Sequence, residues 1–255
     1  MQISIIQAPL SWENPEANRN YFTEKLQQVP SETLLVVLPE MFTSGFTMNP
    51  QNVVETMEGT TVHWMKAMAK ERNFAITGSV VICEEEKYYN RSLFVFPTGE
   101  VAFYDKRHRF SLAGEDKVYT RGTDKKIVRY LGWNICLLIC YDLRFPVFSR
   151  FNDDYDLLIY VANWPQPRIN AWDALLKARA IENMAYVVGA NRVGEDENQN
   201  QYPGHSQALD FFGNHMIEPS GKEGVLTVQL DKETMLANRT KFGFLRDRDA
   251  FTLTE

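Results

Sequence analysis

The sequence predicts an α/β protein in which two mixed β-sheets pack face to face with helices outside. Three observations carry this. Short, almost wholly apolar runs such as Leu34-Leu35-Val36-Val37-Leu38 and Leu157-Leu158-Ile159-Tyr160-Val161-Ala162 read as strands buried on both faces. These alternate with segments of helical periodicity, and the alternation occurs once in each half of the chain. Hairpin signals such as Pro97-Thr98-Gly99 add antiparallel strands to what would otherwise be parallel sheets.

The elements follow in order. Residues 1–8 form a first strand, 15–28 a helix and 33–38 a buried strand. Residues 59–73 are helical, 75–81 form the next strand, and 88–97 with 100–105 form a hairpin. In the second half, 131–140 is a strand, 144–151 a short helix, 157–162 a buried strand, 171–184 a helix and 186–191 a strand. Late strands fall at 207–210 and 225–229, followed by a short helix from 232 and a polar, aromatic-dotted tail. No Ser/Gly linker or shift in composition divides the chain, so residues 1–255 are expected to form one domain.

Composition limits the function classes. Hydrophobic residues at 44% supply a substantial core, which excludes disorder. The balance of 27 basic against 33 acidic residues, with the basic ones scattered, argues against nucleic acid or an anionic membrane as partner. No apolar run reaches the roughly 18–20 residues needed to span a bilayer. Three cysteines cannot all pair within the chain, and Met1 enters a strand at once, so a reduced cytoplasmic setting is expected. None of the four histidines has a His or Cys partner at zinc spacing, so no metal is expected.

The chemistry collects at strand ends, where α/β sheets place their ligand sites. Cys140 ends the run Leu137-Leu138-Ile139; it is either a small core thiol or a nucleophile held rigidly at a strand terminus. Cys136, inside that run, reads as core, and Cys83 stands beside Glu84-Glu85-Glu86, which disfavours a thiolate. A thiol with an ordinary pKa near ~8.5 needs a base at neutral pH. His108 is one candidate. Glu40 is the better one, because it ends the 33–38 run between Pro39 and Met41-Phe42, surroundings that desolvate a carboxylate. Lys106 ends the 100–105 strand, either as a solvated charge or as a cation for a developing oxyanion. A serine elbow at Gly204-His205-Ser206 lacks both its final glycine and a buried strand leading into it.

Pro39-Glu40-Met41-Phe42, Tyr104-Asp105-Lys106 and Cys140-Tyr141-Asp142-Leu143-Arg144-Phe145-Pro146, taken in this order, resemble the three signature segments of the nitrilase superfamily of carbon–nitrogen hydrolases. The resemblance extends over nearly the whole chain. It implies a four-layer αββα sandwich, usually a homodimer, needing no cofactor. Carried over by position, Glu40 is the general base, Lys106 the oxyanion-stabilising cation and Cys140 the nucleophile, with the backbone N–H of Tyr141 completing the oxyanion site. The second active-site glutamate of the family best matches Glu115, with Asp116 beside it as the alternative.

Asn163-Trp164-Pro165-Gln166-Pro167-Arg168, together with Ala178-Arg179-Ala180-Ile181-Glu182-Asn183, is similar to the omega-amidase branch. That branch hydrolyses the terminal amide of 2-oxo dicarboxylic acid monoamides such as 2-oxoglutaramate and 2-oxosuccinamate. Trp164 and Arg168 are then candidate substrate-binding residues, Arg168 for the substrate carboxylate, although an interlayer aromatic anchor and a surface charge are the plainer readings. Arg179 and Glu182, three apart on one helix, suit a structural ion pair. The rivals are another carbon–nitrogen bond (a nitrile, an N-carbamoyl group or a deaminated-glutathione-type amide) and a non-catalytic binding protein on the same scaffold.

Overall fold

The computed structural model describes residues 1–152 and 154–253, so the last two residues of the expected 1–255 domain, and Asp153, lie outside the described residues. The first half of the chain contributes β1 (Gln2–Gln7), α1 (Pro15–Gln27), β2 (Leu35–Val37), α2 (Thr60–Arg72), β3 (Ala75–Glu84), β4 (Lys87–Val95), β5 (Val101–Asp105) and the short α3 (Glu115–Val118). The second half contributes β6 (Lys126–Tyr130), β7 (Trp133–Ile139), α4 (Pro146–Ser149), β8 (Leu157–Ala162), α5 (Ile169–Asn183), β9 (Tyr186–Asn191), β10 (Val193–Glu195), β11 (Gln201–Pro203), β12 (Gln207–Leu209), β13 (His215–Ile217), β14 (Gly224–Gln229) and α6 (Lys232–Phe242).

Two six-stranded sheets result, in the orders β14-β1-β2-β3-β4-β5 and β13-β12-β9-β8-β7-β6. Each has three parallel strands (β1, β2, β3 and β7, β8, β9) extended by antiparallel neighbours. Ile3, Ile5, Leu35, Val37 and Phe94 of the first sheet share one buried cluster with Ile135, Leu137, Ile139 and Ile159 of the second. Side chains of the opposite parity in the first sheet, among them Ile6, Val36 and Ile76, pack on Phe22 and Leu26 of α1 and Val62 and Met65 of α2. The period-two alternation of a strand thus divides one sheet between two apolar layers. On the outer side of the second sheet, α5 approaches β9 so closely that a Cβ on Gly189 would lie 2.6 Å from Leu176 Cδ1. The arrangement is the expected αββα sandwich.

One expected element is corrected. The strand placed at 131–140 starts only at Trp133, as β7; Leu131-Gly132 makes a turn, and an unexpected strand, β6, ends before it at Tyr130. Leu131 (φ 47°) and Gly132 (φ 78°) are both left-handed, as a two-residue hairpin turn requires. β6 escaped detection because it is an edge strand whose Lys126 and Arg129 are exposed, leaving a weak apolar pattern.

Candidate active site

Glu40 lies just beyond β2, Lys106 just beyond β5 and Cys140 just beyond β7, and the packing of the two sheets brings these strand ends together. Lys106 continues the β4–β5 ladder, its N–H donating to the Asn90 carbonyl at 3.0 Å, so Asn90 and Lys106 are cross-strand neighbours. Gly122 crosses over this strand end. A Cβ there would lie 2.0 Å from the Asp105 carbonyl oxygen, so only glycine permits the crossing.

The charged centre is dry. Lys106 is 1% exposed, and Glu40 and Glu115 are 0%. Lys106 Nζ donates to Glu40 Oε1 at 2.8 Å and to both Glu115 oxygens at 2.9 Å. Asn90 Nδ2 donates to Glu40 Oε1 (2.8 Å) and Glu115 Oε1 (3.3 Å), and the Asn163 N–H donates to Glu40 Oε2 (2.8 Å). Phe110 N–H binds the far oxygen of Glu115, and the Phe46 ring lies 5.2 Å from the ammonium. Buried carboxylates are tolerable because their oxygens are met by donors. Of the two neighbouring acids considered for this place, Glu115 fills it and Asp116 is exposed.

Burial would depress the Lys106 pKa, but Glu115 and Glu40 outweigh it and hold the ammonium protonated above the ordinary lysine range. Burial also raises Glu115, against the pull of Lys106. Burial, followed by the Glu40 charge, pushes the Cys140 thiol well above its usual value, and Lys106 only partly offsets this. The site therefore rests as a neutral thiol beside a carboxylate acceptor, its hydrogen-bond partner, and not as a stored thiolate.

Cys140 has φ 42°, left-handed and costly for a residue with a Cβ, at about 1–3 kcal/mol. Asp142 holds this turn. Its carboxylate accepts from Ile139 N (2.9 Å), Tyr104 Oη (2.8 Å), and His108 N (3.1 Å), and bonds His108 Nδ1 (2.7 Å). Arg179 Nη2 ties down the Leu143 carbonyl at 2.6 Å while Nη1 pairs with Glu182 at 2.9 Å, which is the structural ion pair expected from their spacing. His108 is thus committed to Asp142 and stacked on Phe145 at 3.9 Å, away from the role of base. Ser206 is buried, bonded to the Asn191 backbone on the β9 side, and takes no part in the site. Cys136 is core, and Cys83 lies at the end of β3.

Cys140 opens into a cavity of about 200 Å³, smaller than the ~300–1,000 Å³ usual for drug-sized ligands. Tyr141, Trp164 and Arg168 line it, together with Phe110, Asn163 and Arg144. Tyr141 is in the first turn of the 3₁₀ helix Cys140–Arg144, where backbone donors are not claimed by the helix. Trp164 is both wall and anchor, since its Nε1 donates to the Arg168 carbonyl at 2.8 Å and its ring lies 5.4 Å from that of Trp172. The Arg168 guanidinium lies over the Phe110 ring at 5.0 Å, and that of Arg144 over Trp164 at 5.2 Å. Neither guanidinium has an acidic partner among the described residues.

Sequence reasoning missed Arg144, Asn90 and Asn163. Arg144, four residues after the cysteine, was legible as part of the same turn, whereas Asn90 became visible only through its register opposite Lys106.

A strained cysteine at a strand end, a carboxylate acceptor and a buried ammonium define an enzyme of acyl-transfer type at a carbon–nitrogen bond. The chain belongs to the carbon–nitrogen hydrolase family, whose model matches residues 2–239. It is 42% identical to omega-amidase YafV of Yersinia enterocolitica, over 99% of this chain and 98% of that protein. It is 30% identical to 2-oxoglutaramate amidase of Bacillus subtilis, over 90% of each. Among solved structures, a CN-hydrolase superfamily protein of Xanthomonas campestris with an arsenic adduct in its active site is 40% identical and superposes with a TM-score of 0.97, covering 100% of this chain and 99% of that one.

Proposed function

We propose that the protein is an omega-amidase that hydrolyses the terminal amide of small 2-oxo dicarboxylic acid monoamides, 2-oxoglutaramate and 2-oxosuccinamate, through a Cys140 thioester. The observation that carries the substrate class is the pair of guanidinium groups, Arg144 and Arg168, on the wall of the cavity into which Cys140 opens, neither of them paired with an acid among the described residues. A carboxylate at the far end of the substrate would satisfy one or both in bidentate geometry. The omega-amidase and 2-oxoglutaramate amidase relatives support the same substrate class.

Glu40 takes the thiol proton as Sγ bonds to the amide carbon. The oxyanion is held by the Lys106 ammonium and the Tyr141 N–H, while Glu115 fixes Lys106 in place. Glu40 then returns the proton to nitrogen, the C–N bond breaks, and ammonia leaves a thioester. Glu40 next removes a proton from water as it attacks the thioester; collapse releases the acid, and the sulfur recovers its proton from Glu40. Each step uses one carboxylate as base and then acid, which suits a thiol that is neutral at rest. Enzyme of this kind is expected to work as a homodimer in a reducing compartment, on a small-molecule substrate and without cofactor.

The test is ammonia release from a panel of 2-oxo acid ω-amides, neutral primary amides and nitriles of similar length. The ω-amides should lead in kcat/KM by at least about tenfold, the usual value of a good charge-assisted contact. Preference for a neutral amide or a nitrile would refute the assignment.

A further inference from the structure

Eight buried side-chain polar atoms have no hydrogen-bond partner among the described residues, and the residues that carry them are Thr77, Asn90, Arg91, Arg109, Tyr160, Asn163, Arg179 and Arg192. Of these, Asn163 is the one that lines the cavity at Cys140. Its position at the end of β8 matches that of Glu40 at the end of β2, and it is bound to Glu40 twice. The Asn163 N–H donates to Glu40 Oε2 at 2.8 Å, and Nδ2 donates to the Glu40 carbonyl at 2.6 Å. The second bond also settles which way the side-chain amide faces, because the reverse orientation would set two carbonyl oxygens against each other at that distance. Oδ1 is therefore an acceptor, and it is left without a donor among the described residues.

An acceptor buried in this way costs about as much as a lost hydrogen bond unless something fills it. Among the described residues nothing does. In the reaction proposed above, the one group that brings N–H donors to the immediate neighbourhood of Glu40 is the amide nitrogen. As Glu40 protonates that nitrogen, the nitrogen must direct its lone pair at the Glu40 proton, leaving its own N–H bonds to find acceptors elsewhere.

We propose that Asn163 Oδ1 is the acceptor for the leaving nitrogen: it takes one N–H of the substrate amide and keeps it through C–N cleavage until ammonia departs. The inference rests on the amidase reading of the site but not on which acid carries the amide. It assigns to Asn163 the preference for a primary amide over an ester of the same acid, since an alkoxy leaving group has no N–H to offer. A site built around a hydrogen bond rejects analogues lacking the partner far more strongly than an apolar site does.

The test compares wild type and Asn163→Ala on a primary amide and the methyl ester of the same acid, using whichever such pair the wild type turns over. Failure to accept 2-oxo acid ω-amides would therefore count against the substrate proposal alone. Loss of the Nδ2 bond to the Glu40 carbonyl lowers both activities, the backbone N–H bond to Oε2 being kept; loss of the acceptor lowers the amide activity further. The expected result is a fall in amide kcat/KM at least about tenfold larger than the fall for the ester. A second readout does not depend on how much of the variant folds: with the ester as acyl donor, added hydroxylamine competes with water for the thioester. By microscopic reversibility the group that holds departing nitrogen also guides attacking nitrogen, so the ratio of hydroxamate to free acid should fall by about tenfold in the variant. Equal losses on amide and ester, with an unchanged hydroxamate ratio, would overturn the proposal and leave Asn163 as a prop for Glu40.

Discussion

The two sheets have matching central strands but contribute opposite kinds of surface to the site. From the first come Glu40, Lys106, Asn90 and the segment bearing Glu115, which bind one another in a closed, dry cluster. From the second come Cys140, Tyr141, Asn163, Arg144 and Arg168, several of whose polar groups are left open toward the cavity. Strain sits at corresponding places: Met41 after β2 has φ 43°, and Cys140 after β7 has φ 42°. The difference shows a division of labour. In the reaction proposed above, one sheet would supply the charges that move protons and stabilise the oxyanion, and the other the nucleophile and the groups that recognise the substrate.

Substitutions can break this division from either side. Cys140→Ala should have the largest effect, with amide turnover falling by at least about 10⁴-fold in an ammonia-release assay and no acyl adduct by intact mass. Wild-type turnover in this variant would end the thioester scheme. On the closed side, Glu40→Gln should reduce kcat by about 10²–10⁴-fold, the range for loss of a positioned acid–base group, with a KM that moves little. Lys106→Met should cost both activity and fold, because it leaves two buried carboxylates without their cation. A loss of about 3–5 kcal/mol in chemical denaturation is expected, and an unchanged midpoint would show that the cluster is wetter than described.

On the open side the effects are smaller and selective. Arg168→Ala and Arg144→Ala should each raise KM for 2-oxoglutaramate by about tenfold while sparing a neutral amide and leaving stability nearly unchanged. Equal losses on both substrates would remove the arginines from carboxylate recognition. The smallest effect concerns pH. Because the folded state holds the Cys140 proton more tightly than the unfolded chain, this group adds stability below the ordinary thiol pKa near ~8.5 and withdraws it as pH rises beyond that value. The difference in thiolate absorbance between wild type and Cys140→Ser should therefore be absent at neutral pH and grow only in the alkaline range; a thiolate signal at mildly acidic pH would contradict the neutral resting thiol.

Much of this site was legible in the chain because its three principal groups each end a buried apolar run or hairpin strand, a pattern that survives without coordinates. The apolar runs also sufficed for the central strands of both sheets. What escaped depended on contacts between distant segments. β6 carries exposed charges at a sheet edge, and Asn90 reaches Glu40 only because its strand register sets it beside Lys106.

The sequence by itself determined the strand-end chemistry, a carboxylate, an ammonium and a thiol on rigid termini, because burial periodicity dictates where strands stop. Only the tertiary structure decided how these groups share charge, which asparagines serve them, and that two arginines face one cavity. Those relations arise from packing one sheet upon the other, where groups from segments such as Glu40 and Asn163, 123 residues apart, come within hydrogen-bond distance.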